Sequence, residues 1–302
     1  MDTDLDTLAT ALYVTVDDLL KAHPERLPER PAVGIAPLIT DAELVVLSVM
    51  QALLGYRSEA RWLRRVHKDF QTMFPYVPRQ SGYNKRLRKL AGVLAWLTGR
   101  LGALTSVAGD DVVVVDSTPV ECGRSRETAK RSDLAGWAEY GYCASHSRYF
   151  WGLRLHLICT LHGLPVGWAL TGAKADEREV ALSMLAGTPG LRHRPLTMIG
   201  DKNYFGKDFE KELAQAGICL LRPARKGEQA RGGSQFFKPL RQIIESINDT
   251  LKGQLDLEGH GGHTMAGVCA RVAQRILALT AAIWHNDQTG LNIRRTLLAY
   301  DH

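Results

Sequence analysis

The 302 residues of this sequence have the composition of an ordinary globular protein, with 45% hydrophobic and 23% charged residues, and the length suffices for one large domain or two. A net charge of +6 favours an anionic partner without proving one. The five cysteines are odd in number and lack paired spacing, which excludes a disulfide framework or a cysteine-based zinc motif.

Three further features predict a cytoplasmic protein. The cysteines are typical of reduced, mostly buried thiols. Residues 1–4 carry two acids, whereas a secretory signal begins with a basic segment. The most apolar helix, near residues 264–284, contains Arg271, Gln274 and Arg275, so we expect it in a protein core rather than in a membrane.

The first 107 residues are predicted to form a helical region. Leucine and valine recur at helical spacing over residues 3–22, and a proline-rich linker follows at residues 24–37. Thr40 and Glu43 form a capping-box pattern at the start of a helix that runs to Gly55. Further helices are expected over residues 58–70 and from Ser81 onward.

A basic cluster marks the end of this helical region. Between Arg57 and Lys89 there are ten Lys or Arg residues against two acids. Such a cluster is either a solvated helix face or a surface for phosphates. A helix-turn-helix that enters a major groove and a plain bundle with a basic outer face both fit the pattern. The candidate DNA contacts open the last helix: Tyr83, Asn84, Lys85, Arg86, Arg88 and Lys89.

Beyond residue 110 the pattern changes to strands. Residues 112–115 are four valines, typical of a strand buried on both faces, and Asp116 is expected at its end. Taken alone, Asp116 is most simply a turn cap. A second short apolar run ends in Gly200-Asp201. A polar, flexible loop containing Arg124, Arg126, Lys130 and Arg131 is expected after the first strand.

The remaining elements predict an α/β fold. Strands are expected over residues 150–160, 166–171, 196–201 and 218–222, with helices from Asp176 to Leu185 and over residues 206–216. This order predicts a ribonuclease H-like mixed sheet flanked by helices, with its first strand in the centre. Asp116 and Asp201 would then lie on adjacent strands.

The helix predicted over residues 241–252 adds a third acid. Arg241, Glu245 and Lys252 lie four and seven positions apart and share one helix face. An Arg241–Glu245 pair within the helix is the simpler alternative. Two strand-end aspartates and a helical glutamate supply the oxygen ligands that a pair of Mg²⁺ ions requires.

These residues resemble those of bacterial insertion-sequence transposases with a DDE triad. The Arg241, Glu245 and Lys252 spacing is similar to the signature of the insertion-sequence family numbered 4. The full chain, including residues 81–88 and 281–286, more closely resembles the family numbered 982. Lys238 stands where a tyrosine is expected, and the 44 positions between Asp201 and Glu245 leave no room for a large inserted domain.

The resemblance implies a DNA transposase that cleaves transposon ends and joins their 3′ ends to target DNA. It implies Asp116, Asp201 and Glu245 as ligands of two Mg²⁺ ions, which Mn²⁺ would replace, with Arg241 and Lys252 on DNA phosphates. The expected partners are double-stranded DNA, namely ends and target, and a second copy of the chain in a synaptic homodimer. The expected location is the bacterial cytoplasm, at the nucleoid when DNA is bound.

The predicted domains are a helical DNA-binding region (1–107), a ribonuclease H-like catalytic domain (108–290) and a tail (291–302). Two alternatives remain at this point. One is a non-mobile, structure-specific nuclease, since fold does not fix function. The other is a catalytically inactive DNA-binding protein, which the intact acidic triad disfavours.

Overall fold

The computed structural model describes residues 3–30, 36–123, 125–143, 147–191, 194–229, 231–233, 237–293 and 297. Its helices and strands in chain order are α1 (Thr3–Ala22), α2 (Asp41–Leu53), α3 (Glu59–Asp69), α4 (Gln80–Lys89), α5 (Ala91–Ala103), β1 (Val112–Gly123), α6 (Arg126–Arg131), β2 (Glu139–Cys143), β3 (Arg148–Thr160), β4 (Pro165–Gly172), α7 (Glu177–Gly187), β5 (Leu196–Ile199), α8 (Lys207–Gln215), β6 (Ile218–Leu221), α9 (Phe237–Asp249) and α10 (Met265–Gln288).

The chain divides into two compact units that differ from the predicted domains. The first unit combines the chain up to Leu101 with Leu251–Asn292, and the second contains Gly102–Thr250. Residues 251–290, which the sequence predicts in the catalytic region, belong to the same compact unit as the N-terminal helices. The functional domains stay a prediction.

Helix α10 explains that difference. It packs against α1, α2 and α4. By length and composition alone α10 could cross a membrane, but 83% of its most apolar window is buried inside the protein. A helix that is apolar around its whole circumference must be enclosed, and the N-terminal helices enclose it.

Three polar side chains of α10 have hydrogen-bond or ion-pair partners inside the first unit. Arg271 forms an ion pair with Glu59. Gln274 donates from Nε2 to the Ser48 carbonyl oxygen at 2.6 Å, and Arg275 donates from Nε to the Leu255 carbonyl oxygen at 2.7 Å. Because a buried charge is costly without partners, these contacts fix how α10 sits among its neighbours.

The predicted capping box at the start of α2 is confirmed. The Thr40 hydroxyl accepts a hydrogen bond from the Glu43 N–H at 3.1 Å, and the Glu43 carboxylate accepts from the Thr40 N–H at 2.6 Å. The two residues thus satisfy donors that the first turn of a helix leaves open.

The helix-turn-helix prediction is not supported. The connection between α3 and α4 covers residues 70–79, whereas the turn of that motif has about three or four residues. The single long helix expected from Ser81 is also interrupted, because a turn at Leu90 separates α4 from α5. The first unit is therefore described as a helical bundle.

The second unit is built on one mixed sheet with the order β4-β3-β1-β5-β6, and β2 pairs with the beginning of β3. Strand β1 is antiparallel to β3 and parallel to β5, and β5 is parallel to β6. This is the predicted ribonuclease H-like sheet with its first strand central. Strand β2 and helix α6, which lie between β1 and β3 in sequence, were not predicted.

Alternate residues of β1 face opposite layers. Val113 and Val115 are buried in a cluster with Met184 of α7 and with Phe209 and Leu213 of α8. Side chains alternate along a strand, so Asp116 points to the other face. There it meets α9, which contacts β1. The core therefore lies on one side of β1 and the candidate site on the other.

Strand β1 does not end at Asp116 as predicted. It continues to Gly123 because residues 151–160 of β3 pair with β1 from Val113 to Gly123. The expected flexible loop is also shorter, since α6 occupies residues 126–131 and Ser125 caps it by accepting from the Thr128 N–H at 3.0 Å. Arg124 lies outside the described residues.

Gly152 of β3 provides a test of this sheet. A β-carbon at Gly152 would lie 2.2 Å from the Val120 carbonyl oxygen. Gly152→Ala should therefore force β1 and β3 apart and lower the free energy of unfolding by roughly 1–3 kcal/mol, as measured by urea denaturation. Gly187→Ala is the matched control, because no atom lies within 4 Å of its β-carbon position. Equal stability of the two variants would contradict the β1–β3 register.

Candidate active site

The parallel pairing of β1 and β5 brings two aspartates to one edge of the sheet. Ile199, the last residue of β5, lies opposite Val114. Asp201 and Asp116 each follow two residues after this pair. Because adjacent parallel strands run in the same direction, equal offsets place both side chains at the same end of the sheet. These are two of the three predicted catalytic residues.

Asp116 is half-buried and carries an unfavourable charge. Its Oδ2 accepts a hydrogen bond from Nδ2 of Asn248 on α9 at 2.8 Å. The pKa of Asp116 is raised to about 6, mainly by burial and further by the negative charges of Asp201 and Glu177, against the opposing hydrogen bonds of Ser117 and Asn248. The site therefore accumulates negative charge, which a bound cation would neutralise.

Asp201 is held by its own turn. Asn203 donates from its backbone N–H to Oδ1 at 2.7 Å and from Nδ2 to Oδ2 at 2.9 Å. Although Asp201 is exposed, the surrounding protein removes part of its hydration and raises its pKa, and the charge of Glu177 acts in the same direction. The turn thus fixes the carboxylate while leaving it accessible.

Glu177 is a third acid of this region that the sequence did not reveal. It is the first residue of α7. Its Oε1 accepts from the Ser117 hydroxyl at 2.5 Å and from Nη1 of Arg154 at 2.6 Å. In sequence, Glu177 is an ordinary first-turn acid beside the cap residue Asp176. Only the return of the chain through β3 and β4 shows that α7 begins beside Ser117.

Tyr204 belongs to the buried cluster of Val113 and Val115 and is close enough to these carboxylates for their charges to affect it. Its hydroxyl is buried and has no hydrogen-bond partner within the described residues. Burial, together with the charges of Glu177, Asp116 and Asp201, raises its pKa well above the ordinary value, so the hydroxyl keeps its proton. A β-carbon at Gly200 would lie 2.9 Å from the Tyr204 ring, so glycine is needed for this close packing.

Glu245 lies on α9 and is exposed. It is three residues before Asn248, which places it on the helix face that reaches β1. Among the described residues, no three His, Cys, Asp or Glu side chains lie close enough to hold a single metal ion. The structure therefore brings Asp116 and Asp201 to one edge of the sheet, and Glu245 lies on α9, whose Asn248 contacts Asp116.

The other residues predicted on this helix are placed differently. The side chains of Lys238 and Arg241 lie outside the described part of the chain. Helix α9 ends at Asp249, and a π-helical segment covers Thr250–Gln254. Lys252 therefore lies outside the regular helix, and α-helical spacing does not place it two turns from Glu245 on the same face.

Three of the six predicted DNA contacts in α4 have structural partners in the first unit. Tyr83 is fully buried and donates its hydroxyl to Oε1 of Gln51 at 2.7 Å. Asn84 donates to Oε1 of Glu59 at 2.7 Å. Arg86 donates to the carbonyl oxygen of Ile39 at 2.7 Å and also pairs with Asp41.

The buried ring of Tyr83 cannot reach DNA, so this prediction is corrected. Asn84 and Arg86 are half-buried and occupied by their partners. The remaining three candidates, Lys85, Arg88 and Lys89, are exposed. Helix α4 therefore exposes only three of its six candidate DNA contacts to solvent.

Comparison with known protein families shows the family of this chain. A family model described as a transposase DDE domain matches residues 107–265, which is more than half of the chain. No curated protein matches. A solved structure of the piggyBac transposase synaptic complex with hairpin DNA is similar over 97% of this chain and 76% of that chain, with 7% sequence identity and a TM-score of 0.46.

The raised pKa of Asp116 predicts that the negative charge of this residue lowers the stability of the fold at neutral pH. Because the pKa is higher in the folded than in the unfolded chain, the stability contributed by protonation is complete below about pH 4 and is lost as the pH rises through about 6. Asp116→Asn should therefore raise the free energy of unfolding at pH 7.5 by roughly 1–3 kcal/mol. Urea denaturation in EDTA between pH 4 and 8 measures this difference.

The control is Asp208→Asn, which removes the same charge from an exposed position on α8. Its stability difference from the wild type should not change as the pH passes through 6. A pH-independent difference for Asp116→Asn as well would show that burial does not penalise the Asp116 charge.

Proposed function

Since this chain belongs to the transposases with a DDE domain, we propose that it binds the ends of a bacterial insertion sequence, cleaves them by metal-dependent phosphodiester hydrolysis and joins the 3′ ends to target DNA. The finer relationship that we propose is to the insertion-sequence family numbered 982. The observation that carries the proposal is the convergence of Asp116 and Asp201 at one sheet edge beside α9.

The residues at this edge fit a divalent metal. Carboxylate oxygens are the ligands that Mg²⁺ prefers, and burial together with neighbouring negative charge raises the pKa values of both aspartates. We propose Asp116, Asp201 and Glu245 as the residues that hold two Mg²⁺ ions, with Mn²⁺ as a substitute. Such ions activate a water or 3′-hydroxyl and stabilise the leaving oxygen.

The surrounding residues orient the carboxylates. Asn248 donates a hydrogen bond to Oδ2 of Asp116 and so fixes the orientation of this carboxylate. Asn203 fixes the Asp201 carboxylate relative to its turn. Arg154 compensates the charge of Glu177, so that this third acid remains beside the site without an unpaired buried charge.

DNA is the proposed partner of both units. The exposed bases Lys85, Arg88 and Lys89 are the proposed phosphate contacts of the first unit. Arg241 and Lys252 are proposed to contact phosphates near the cut. A homodimer that holds two ends is proposed for the synaptic complex, and the cytoplasm for its location.

The proposed triad is tested by cleavage and strand-transfer assays on duplex fragments that flank the coding sequence. Asp116→Ala, Asp201→Ala and Glu245→Ala should each lower both activities more than about 100-fold, since even residues that only orient metal ligands contribute 10–100-fold. DNA binding, measured by anisotropy in Ca²⁺, should change less than about threefold because phosphate contacts supply the affinity.

Glu212→Ala is the matched control, as it removes an exposed acid from α8 in the same unit. Normal turnover in one triad variant would remove that residue from the proposed site. Cleavage without joining in the wild type would favour the non-mobile nuclease.

The exposed bases of α4 are tested through the salt dependence of duplex binding. Each phosphate contact contributes about 0.9 to the slope of log affinity against log salt concentration, so Arg88→Ala combined with Lys89→Ala should reduce that slope by roughly two units. Arg100→Ala removes an exposed base at the end of α5 and serves as the control. The same slope in all three proteins would contradict the proposed contact.

A further inference from the structure

Three tyrosines form an exposed aromatic patch on the β2–β3 hairpin. Tyr140, Tyr142 and Tyr149 are 49%, 48% and 79% exposed. The Tyr142 and Tyr149 rings are neighbours, with centroids 5.1 Å apart and planes tilted by 57°. The opposite face of the hairpin is closed by Cys143, Phe150 and Ala173. These tyrosines are therefore not needed to cover that small core.

Strand register places this patch on the same face of the sheet as Asp116. Asp116 lies opposite Leu157, and Tyr149 is eight residues before Leu157 on β3. Tyr142 lies opposite Tyr149 in the β2–β3 pairing. Residues that pair across strands share a face, and an even separation along one strand keeps that face. At a rise of about 3.3 Å per residue, the patch lies roughly 26 Å along the sheet from the aspartate.

Positive charge lies beside the patch. Helix α6 exposes Arg126, Lys130 and Arg131 against a single acid, Glu127. A β-carbon at Gly123 would lie 3.0 Å from Thr128 of α6 and 3.3 Å from the Trp151 ring. Trp151 pairs with Tyr140 across β2 and β3. The basic helix therefore packs at the border of the aromatic face.

We propose that Tyr140, Tyr142 and Tyr149 form a stacking platform for unpaired DNA bases, with α6 binding the phosphates of the same strand. Aromatic rings beside a basic element are the combination that holds single-stranded nucleic acid, because every base offers a face for stacking. The proposal rests on the proposed DNA transposase function and deepens it. It assigns to the catalytic unit a site for the strand that becomes unpaired at a cleaved end.

The test compares three fluorescein-labelled probes by anisotropy, with the full-length chain. They are an oligothymidylate of about 15 nucleotides, an abasic oligomer of the same length and a duplex of the same length. The wild type should bind the oligothymidylate more tightly than the abasic oligomer. Tyr142→Ala combined with Tyr149→Ala should weaken oligothymidylate binding about tenfold, with duplex binding within about twofold of wild type.

Two variants distinguish stacking from other effects. Tyr142→Phe combined with Tyr149→Phe keeps the rings and should retain most of the oligothymidylate affinity. Tyr13→Ala removes another exposed tyrosine, located on α1, and should change nothing. Circular dichroism and thermal unfolding establish that each variant is folded.

Each outcome bears on a distinct claim. If the wild type binds duplex but does not prefer the oligothymidylate over the abasic oligomer, the platform is overturned and the proposed function stands. If it binds no probe, both fail. If the double alanine variant keeps its oligothymidylate affinity and instead changes from dimer to monomer in sedimentation, the patch is an interface between copies and the proposal is wrong.

Discussion

The continuous pairing of β1 with β3 is the constraint on which the second unit depends. It extends β1 past Asp116, so β1 is paired with β3 both before and after the aspartate. A side chain in the middle of a paired strand has little freedom to move. The same pairing brings Arg154 of β3 next to Ser117 and Glu177. The candidate site and the β2–β3 hairpin are thus parts of one continuously paired sheet.

The ionised carboxylate of Asp116 lowers the stability of the fold, and favourable packing elsewhere in the second unit offsets this loss. Burial and two neighbouring acids oppose its ionisation, whereas hydrogen bonds from the Ser117 backbone and from Asn248 favour it. Such opposition between local stability and charge is characteristic of functional sites. The valines before Asp116 provide the apolar packing that makes the cost tolerable.

The sequence allowed the sheet to be predicted because its strands are short apolar or alternating runs, and the later strands are separated by helices at α7 and α8. It also allowed Asp116 and Asp201 to be paired, since each follows a short apolar run. Glu177 could not be recognised in this way, because its role depends on contacts with Ser117 and Arg154 that lie 60 and 23 residues away. Lys252 lies in a π-helical segment, which changes the residue spacing that the prediction assumed, and its role stays a prediction. Tyr83 was misjudged because a tyrosine at the start of a basic helix has the same local pattern whether its ring faces DNA or the core.

The discontinuity of the first unit has a consequence for how the protein is made. Helices α1–α5 leave the ribosome first, but α10, against which α1, α2 and α4 pack, follows only after the whole second unit has been synthesised. Domains generally fold as units during synthesis. The ribonuclease H-like unit can therefore complete its sheet while the apolar faces of α1, α2 and α4 still lack their partner. The nascent chain thus passes through a stage in which its N-terminal helices are the segment most in need of a chaperone.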